Sequence, residues 1–104
     1  MSTARPVVRS SGPEHVGRGA LDRLGDKYWV HLAVDVLDQR EFSATDYPNS
    51  RGLGLDEAAA LLLPLTGSSG MIGFSVGCYN PDIDPDGDCA RSLVGLLGQV
   101  LGQP

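Results

Sequence analysis

The chain has 104 residues, which is enough for one small domain and too few for two. Hydrophobic residues make up 41% and charged residues 20%, which excludes a disordered polar chain or a fibrous repeat and predicts a buried core. The net charge of -5, with only eight Lys and Arg residues, argues against nucleic acid as a partner because phosphate backbones bind clustered basic side chains.

Proline and glycine among serine and arginine in residues 1–18 predict a loose N-terminal leader, and residues 19–104 form the predicted globular portion. Residues 19–25 predict a short helix that ends at its final glycine. Leu21 and Leu24 are expected on one face of this helix.

The segment KYWVHLAVDV, residues 27–36, is rich in aromatic and β-branched residues and predicts a strand. Apolar residues occupy both of its faces, which is typical of a parallel strand covered by helices, so we expect Trp29 to be buried. Residues 38–54 are rich in aspartate, asparagine and glycine and predict a long loop, a kind of segment that is often functional.

Alanine and leucine dominate residues 57–63, which predicts a helix with Asp56 as its N-cap or first-turn acid and Pro64 at its end. Residues 71–78 predict a second buried strand. Residues 89–101 predict a last helix, which Gly102 stops. Its apolar stripe comprises Leu93, Leu96, Leu97, Val100 and Leu101.

This order of elements predicts an α/β fold in which a right-handed β-α-β crossover joins two parallel strands and a further helix follows. Two strands cannot bury their own faces and edges. The chain is therefore expected to be part of a larger sheet, or a protomer that takes strands from a partner.

Membrane and export signals are not expected in this protein. The longest apolar run, Ala58 to Leu63, is far shorter than the roughly 20 residues of a membrane span, and the N-terminal residues contain no apolar stretch of signal-peptide length. Cys78 and Cys89 are too few for a disulfide framework. We expect both to be free core thiols in a cytoplasmic protein with no membrane partner.

Carboxylates follow the first predicted strand. Side chains two residues apart on a strand share a face, so Trp29, His31, Ala33 and Asp35 are expected on the same face. Asp35 and Asp38 lie where this strand runs into the long loop, and binding crevices of parallel α/β sheets lie beyond the carboxyl ends of their strands. This position predicts a site.

Three segments carry a family resemblance: HLAVDVLD at 31–38, RGLGLDEAAALLLPL at 51–65 and GFSVGCYNPDIDPDGDCARSLVGLLGQVL at 73–101. Over residues 19–102 the sequence resembles the C-terminal third of the arginase and agmatinase (ureohydrolase) family. The resemblance implies part of an arginase-like three-layer parallel sheet. It also implies the family reaction, which is the manganese-dependent hydrolysis of a C–N bond in a linear guanidino or amidino substrate.

In that family a D-x-D-x-x-D-P motif supplies two aspartates to a binuclear manganese centre. The resemblance assigns the second metal ligand to Asp35 and the third, more structural aspartate to Asp38. Ala33 occupies the place of the first aspartate, which bridges both metals in the family, and Gln39 occupies the place of the proline. Cys78 stands where arginases have a glutamate. The family's upstream G-G-D-H and D-A-H-x-D segments do not occur in these residues.

Two further metal interpretations are weaker. His31 lies four strand residues, about 13 Å, from Asp35, so one metal ion would not reach both, and we expect His31 to be packed or hydrogen-bonded. The acidic segment 82–88 matches the opening of a calcium-binding loop, but the twelfth position is Leu93 instead of glutamate. We expect this segment to cap the last helix.

The sequence thus predicts an arginase-family protein that is inactive by itself and for which manganese binding is doubtful. The alternatives are a degenerate, non-catalytic oligomerisation module, a truncated gene product or, more weakly, an acidic-loop calcium binder. The expected partners are further copies of the chain or the remainder of a larger arginase-like fold.

Overall fold

The computed structural model describes residues 12–102 of the protein. In chain order its helices and strands are α1 (Pro13–Arg23), β1 (Tyr28–Ala33), α2 (Leu55–Thr66), β2 (Met71–Gly77) and α3 (Asp88–Leu101), with short 3-10 turns at Val34–Val36 and Pro81–Ile83. The two strands form one parallel sheet, in which Val30 lies opposite Phe74 and Leu32 opposite Val76. The predicted α/β fold with two neighbouring parallel strands is confirmed.

Helix α1 begins earlier than the sequence predicted. It starts at Pro13, so the last part of the predicted leader, residues 13–18, is helical, and residues 1–11 lie outside the described part of the chain. Proline at the first helical position is pre-organised for a helix start. Gly17 packs so closely on α2 that a Cβ atom there would lie 2.1 Å from the Leu61 carbonyl oxygen. Leu24 lies outside the helix and is exposed, which corrects its predicted packing.

Strand β1 is shorter than predicted. It ends at Ala33, and Val34–Val36 form a 3-10 turn because the Leu37 N–H bonds back to the Val34 carbonyl at 3.1 Å. The alternation of faces therefore stops at Ala33. The prediction that Asp35 shares a strand face with the residues before it is wrong for this reason.

The two faces of β1 differ sharply in burial. Tyr28, Val30 and Leu32 are buried, whereas Trp29 is 60% exposed. The expectation that both faces are covered, with Trp29 in the core, is wrong for the described residues, in which only one face is buried. The core unites this face with apolar residues of α2, α3 and the loop after β1; its members on these elements include Leu37, Phe42, Ala44, Leu53, Ala58, Ala59, Leu62, Leu65, Leu93, Leu96 and Val100.

Helix α2 extends beyond its predicted range at both ends. Gly54 is the N-cap instead of Asp56, which lies in the first turn, where an acid favours the positive end of the helix. The Glu57 carboxylate accepts the Gly54 N–H at 2.9 Å and closes the start of the helix. The helix continues two residues past Pro64 before it ends at Thr66.

The bounds of the elements in the second half of the chain follow the predictions closely. The expectation of a second buried strand is wrong for the described residues, because the sheet is covered on one face only: no residue of β2 is fully buried, and Ile72 is 63% exposed. β2 ends one residue early, at Gly77, and α3 begins one residue early, at Asp88, with Gly102 as its C-cap. The apolar stripe of α3 is buried or half-buried except for Leu101, which is exposed. Among the helices that the structure describes, none combines the length and the apolar character that a bilayer crossing requires.

Candidate functional site

The candidate site lies where β1 passes into the loop of residues 37–54. This loop crosses back over the end of the strand, because the Leu53 N–H donates to the Val36 carbonyl at 2.8 Å and the Asp38 N–H donates to the Leu53 carbonyl at 2.7 Å. A Cβ atom on Gly52 would lie 2.4 Å from the carbonyl carbon of Leu37. Only glycine permits this close backbone crossing, which fixes Asp38 beside the returning chain.

Asp38 is buried and paired with a cation. Its Oδ1 atom accepts hydrogen bonds from the Arg40 backbone N–H at 2.9 Å and from Arg40 Nε at 3.1 Å, and its Oδ2 atom accepts one from Arg40 Nη2 at 2.9 Å. The side chain of Asp38 is 1% exposed and that of Arg40 is 75% exposed. The hydrogen bond to Asp38, together with its negative charge, raises the pKa of Arg40. This carboxylate therefore faces the guanidinium group of Arg40.

Ala33 is the last residue of β1 and Asp35 lies in the 3-10 turn that follows it, and the two do not form a cluster of metal ligands. Asp35 is half-buried in the 3-10 turn, and Ala33 is half-buried beside it in sequence. Across residues 12–102, no group of three or more His, Cys, Asp or Glu side chains lies close enough to hold a metal ion. The residues that the structure describes do not fit a manganese centre by themselves, since alanine has no ligand atom and the Asp38 carboxylate is bonded to Arg40.

His31 is part of a hydrogen-bonded group on the exposed sheet face. Its Nδ1 atom lies 2.7 Å from Ser75 Oγ, and Trp29 Nε1 donates to the same oxygen at 3.0 Å. The two rings lie across β2, where glycines leave space for them. A Cβ atom on Gly73 would lie 2.1 Å from the Trp29 ring, and a Cβ atom on Gly77 would lie 3.0 Å from the His31 ring. The expectation of a hydrogen-bonded His31 is confirmed.

The acidic segment 82–88 serves the start of α3. The Asp84 carboxylate accepts the N–H groups of Cys89 and Ala90 at 3.0 and 2.9 Å and the Tyr79 hydroxyl at 2.7 Å. The hydrogen bond from Tyr79 and those from the two amides lower the pKa of Asp84, and the same Tyr79 contact raises the pKa of the tyrosine. The segment caps the last helix, as the sequence predicted.

The two cysteines differ from each other. Both are free thiols, Cys89 is half-buried against the core, and Cys78 is exposed with a positive φ of 71° just after β2. The expectation of a core thiol is wrong for Cys78. The strand ends one residue before it, so the chain turns outward at this position.

The chain also matches a known protein family. A family model described as "Arginase family" matches residues 3–102. The chain belongs to the arginase family. No curated protein matches the sequence significantly.

Solved structures of the arginase fold resemble the described residues closely in shape. An Entamoeba histolytica arginase in complex with L-ornithine matches with a TM-score of 0.84 and 15% identity, over 92% of this chain and 33% of that chain. A Bacillus subtilis arginase matches with a TM-score of 0.82 and 21% identity, over 93% of this chain and 34% of that chain. A Trypanosoma cruzi formiminoglutamase determined with Mn2+ matches with a TM-score of 0.83 and 18% identity, over 90% of this chain and 31% of that chain. The chain thus spans about a third of the length of these proteins.

Arg40 and Glu41 are the site residues that sequence reasoning missed. Glu41 Oε1 accepts the Leu55 N–H at 3.1 Å, so the loop after β1 also caps α2. The only signal in the sequence was an arginine two residues after the buried aspartate. An ion pair at that spacing forms only when the backbone turns sharply, and the loop composition does not specify such a turn.

Proposed function

We propose that this chain supplies the C-terminal third of an arginase-type domain and that, by itself, it does not hydrolyse guanidino or amidino C–N bonds. The observation that carries the proposal is the state of the three motif positions: Ala33 has no ligand atom, Asp38 is bonded to Arg40, and Asp35 alone is left as a carboxylate ligand. The manganese-dependent hydrolysis of the family is then an activity to which the chain contributes only when further ligands are supplied.

The physical reason is the number of donors that such a centre needs. Divalent cations of this class take several oxygen or nitrogen ligands, and positioning a metal-bound nucleophile requires an ordered set of them. One half-buried carboxylate, that of Asp35, provides neither several ligands nor an ordered set of them. The same proposal includes a cytoplasmic location for the chain and manganese as the metal that binds when the missing ligands are supplied.

The test measures manganese binding and urea release on the 104-residue chain. We expect calorimetry with Mn2+ at neutral pH to show no saturable site in the micromolar range, and we expect no urea from arginine or agmatine. A full-length arginase serves as the positive control for both assays. Tight binding of two Mn2+ ions together with urea release would overturn the proposal.

A matched pair of variants tests the missing ligand directly. Ala33→Asp places a second carboxylate two residues before Asp35, at the end of β1, and we expect Mn2+ binding at least tenfold tighter than that of the unaltered chain. Ala33→Asn has the same size without the charge and should leave binding unchanged. Equal affinity for the Asp and Asn variants would contradict a latent metal position at residue 33.

A second candidate function is that of a non-catalytic assembly module, and a cleft beside β1 favours it. The cleft has a volume of about 400 Å³ and is lined by three consecutive strand residues, His31, Leu32 and Ala33, and by apolar residues of α2. Consecutive residues line a cleft when it follows the open edge of a strand, and such edges pair with further strands. The measured mass of the chain in solution tests this candidate, because self-association is expected and a monomer at high concentration would contradict it.

A further inference from the structure

The face of the sheet that residues 12–102 leave uncovered brings a serine, a histidine and a tryptophan together. His31 lies opposite Ser75 in the register of the parallel strands, and Trp29 lies opposite Gly73. Positions 73, 75 and 77 of β2 share one face because side chains alternate along a strand, and only Ser75 of the three has a side chain. Both rings therefore converge on a single hydroxyl group.

Hydrogen bonds orient the proton of this hydroxyl group. The indole N–H of Trp29 donates to Ser75 Oγ at 3.0 Å and occupies one of its lone pairs. The Nδ1 atom of His31 lies 2.7 Å from the same oxygen, within the ordinary range for a hydroxyl donor. When the imidazole carries its own proton on Nε2, Nδ1 accepts the Ser75 O–H. A nucleophile is thus held against a general base.

This environment distinguishes Ser75 from other serines of the described residues. Ser43 Oγ lies 3.9 Å from the Cys89 thiol, and the Ser68 hydroxyl oxygen accepts a backbone N–H. Neither contact supplies a base. Ser75 is half-buried and His31 is exposed, so a small molecule can approach the pair from this face of the sheet.

We propose that Ser75 is a nucleophile, with His31 as its general base, and that it accepts the acyl group of small activated esters. Trp29 holds the hydroxyl group in the orientation that directs its proton to His31. The inference goes beyond the proposed function and does not depend on it, because the pair uses none of the three motif positions. Manganese binding or urea release bears on the proposed function alone.

The acyl transfer balances without a further reactant. As Ser75 Oγ attacks the carbonyl carbon of the ester, the Oγ–C bond forms and the hydroxyl proton moves to His31 Nδ1. The bond between the carbonyl carbon and the ester oxygen then breaks, and the departing oxygen takes the proton from the imidazolium. The products are an acyl group on Ser75, a free alcohol and a neutral imidazole.

Acetyl transfer from 4-nitrophenyl acetate to the full chain tests the proposal. We expect a burst of about one equivalent of 4-nitrophenol and one acetyl group, which tandem mass spectrometry assigns to Ser75. Ser50, an exposed serine in the loop after β1, is the internal control and should stay unmodified. Acetyl groups on Ser50 or Cys78, with none on Ser75, would overturn the proposal.

Removal of the base separates a reactive pair from a merely structural hydrogen bond. His31→Ala should slow the acetylation of Ser75 at least about tenfold, since a general base typically contributes about 100-fold or more. His15→Ala removes the other histidine of the chain, which lies on α1, and should leave the rate unchanged. Equal rates in the two variants would contradict the role of His31 as a base.

Chemical rescue gives a readout that a structural role would not move. Free imidazole should raise the rate of Ser75 acetylation in His31→Ala and leave that of the unaltered chain unchanged, because it supplies the missing base. His31→Gln keeps a hydrogen-bonding side chain without the basicity and should stay slow, and it serves as the test if the Ala variant does not fold. A fast Gln variant, or a folded Ala variant that imidazole does not accelerate, would overturn the proposal.

Discussion

Gly52 shows how a single residue determines the candidate site. Its backbone lies against Leu37 and Asp38 so closely that any side chain would overlap main-chain atoms, which cannot move without displacing the end of β1. The crossing places the Leu53 carbonyl 2.7 Å from the Asp38 nitrogen. A glycine at this position is therefore a steric requirement of the loop crossing.

Replacing Gly52 by alanine should lower the free energy of unfolding by about 1–3 kcal/mol, since overpacking of this kind forces backbone shifts. Urea denaturation measures the loss. The matched control is Gly95→Ala, at an exposed position in α3 where a Cβ atom meets nothing within 4 Å. That variant should gain up to about 1 kcal/mol from higher helix propensity, and a loss of the same size as that of Gly52→Ala would refute the steric argument.

At this scale the sequence predicted part of the site. The acids after the first strand were recognised from their position, and Asp38 does lie at the start of the loop that follows β1 and its 3-10 turn. The partner of Asp38 was not predicted, because the Arg40 ion pair depends on a turn that hydrogen bonds to the distant Leu53 help to hold. Composition and spacing carry no information about that contact.

Helix α3 illustrates what the sequence specifies at the scale of an element. The leucine spacing, the acidic turn before it and the glycine after it all indicate the same helix, and the structure agrees with them to within one residue at the start. Local signals of this kind need no distant contact. The Asp84 carboxylate, which bonds to the Cys89 and Ala90 amides, is the charged part of the cap.

The Asp84 cap predicts a pH dependence with a defined sign. Its folded pKa lies below its usual value of about 3.9, so its stabilisation is present above that value and is lost as the pH falls through the lowered folded pKa. Asp84→Asn should lower the urea midpoint at pH 7, and its difference from the unaltered chain should shrink as the pH falls through the lowered folded pKa of Asp84. Asp86→Asn, an exposed neighbour in the same turn, is the control, and an equal loss in both variants would contradict the capping role.

Elements whose ends depend on distant contacts were predicted less well. β1 was expected to continue to residue 36, but the bond from Leu37 back to Val34 and the pairing of Val36 with Leu53 convert its last residues into a turn. α1 begins before its predicted start, and its contact with α2 through Gly17 is a tertiary feature. Propensity read along the chain could not indicate either.

The whole molecule explains why Trp29 was mispredicted. Its strand has the composition of a sheet covered on both faces, whereas residues 12–102 cover one face only. The chain spans about a third of the length of arginase-fold structures such as the Bacillus subtilis enzyme, of which it covers 34%. The sequence prediction that two strands are too few for a complete sheet is consistent with this shortfall.

The open cleft beside β1 leads to a prediction about assembly. Leu61→Lys places a charge among the apolar residues that line the cleft, so the self-association proposed for this cleft should weaken at least tenfold in sedimentation equilibrium. Val94→Lys, at a residue of α3 that is 69% exposed and outside the cleft lining, should associate like the unaltered chain. Equal weakening in both variants would show that association does not use this cleft.

The packing of Trp29 over a glycine of β2 has a consequence for the fluorescence of the protein. Trp29 is the only tryptophan of the chain, and its ring lies over Gly73 on the uncovered side of the sheet. Its fluorescence emission is therefore a built-in signal for this side alone. A layer of protein that settles there would remove water from the indole and shift the emission to shorter wavelengths, whereas events confined to the opposite side would leave the spectrum unchanged.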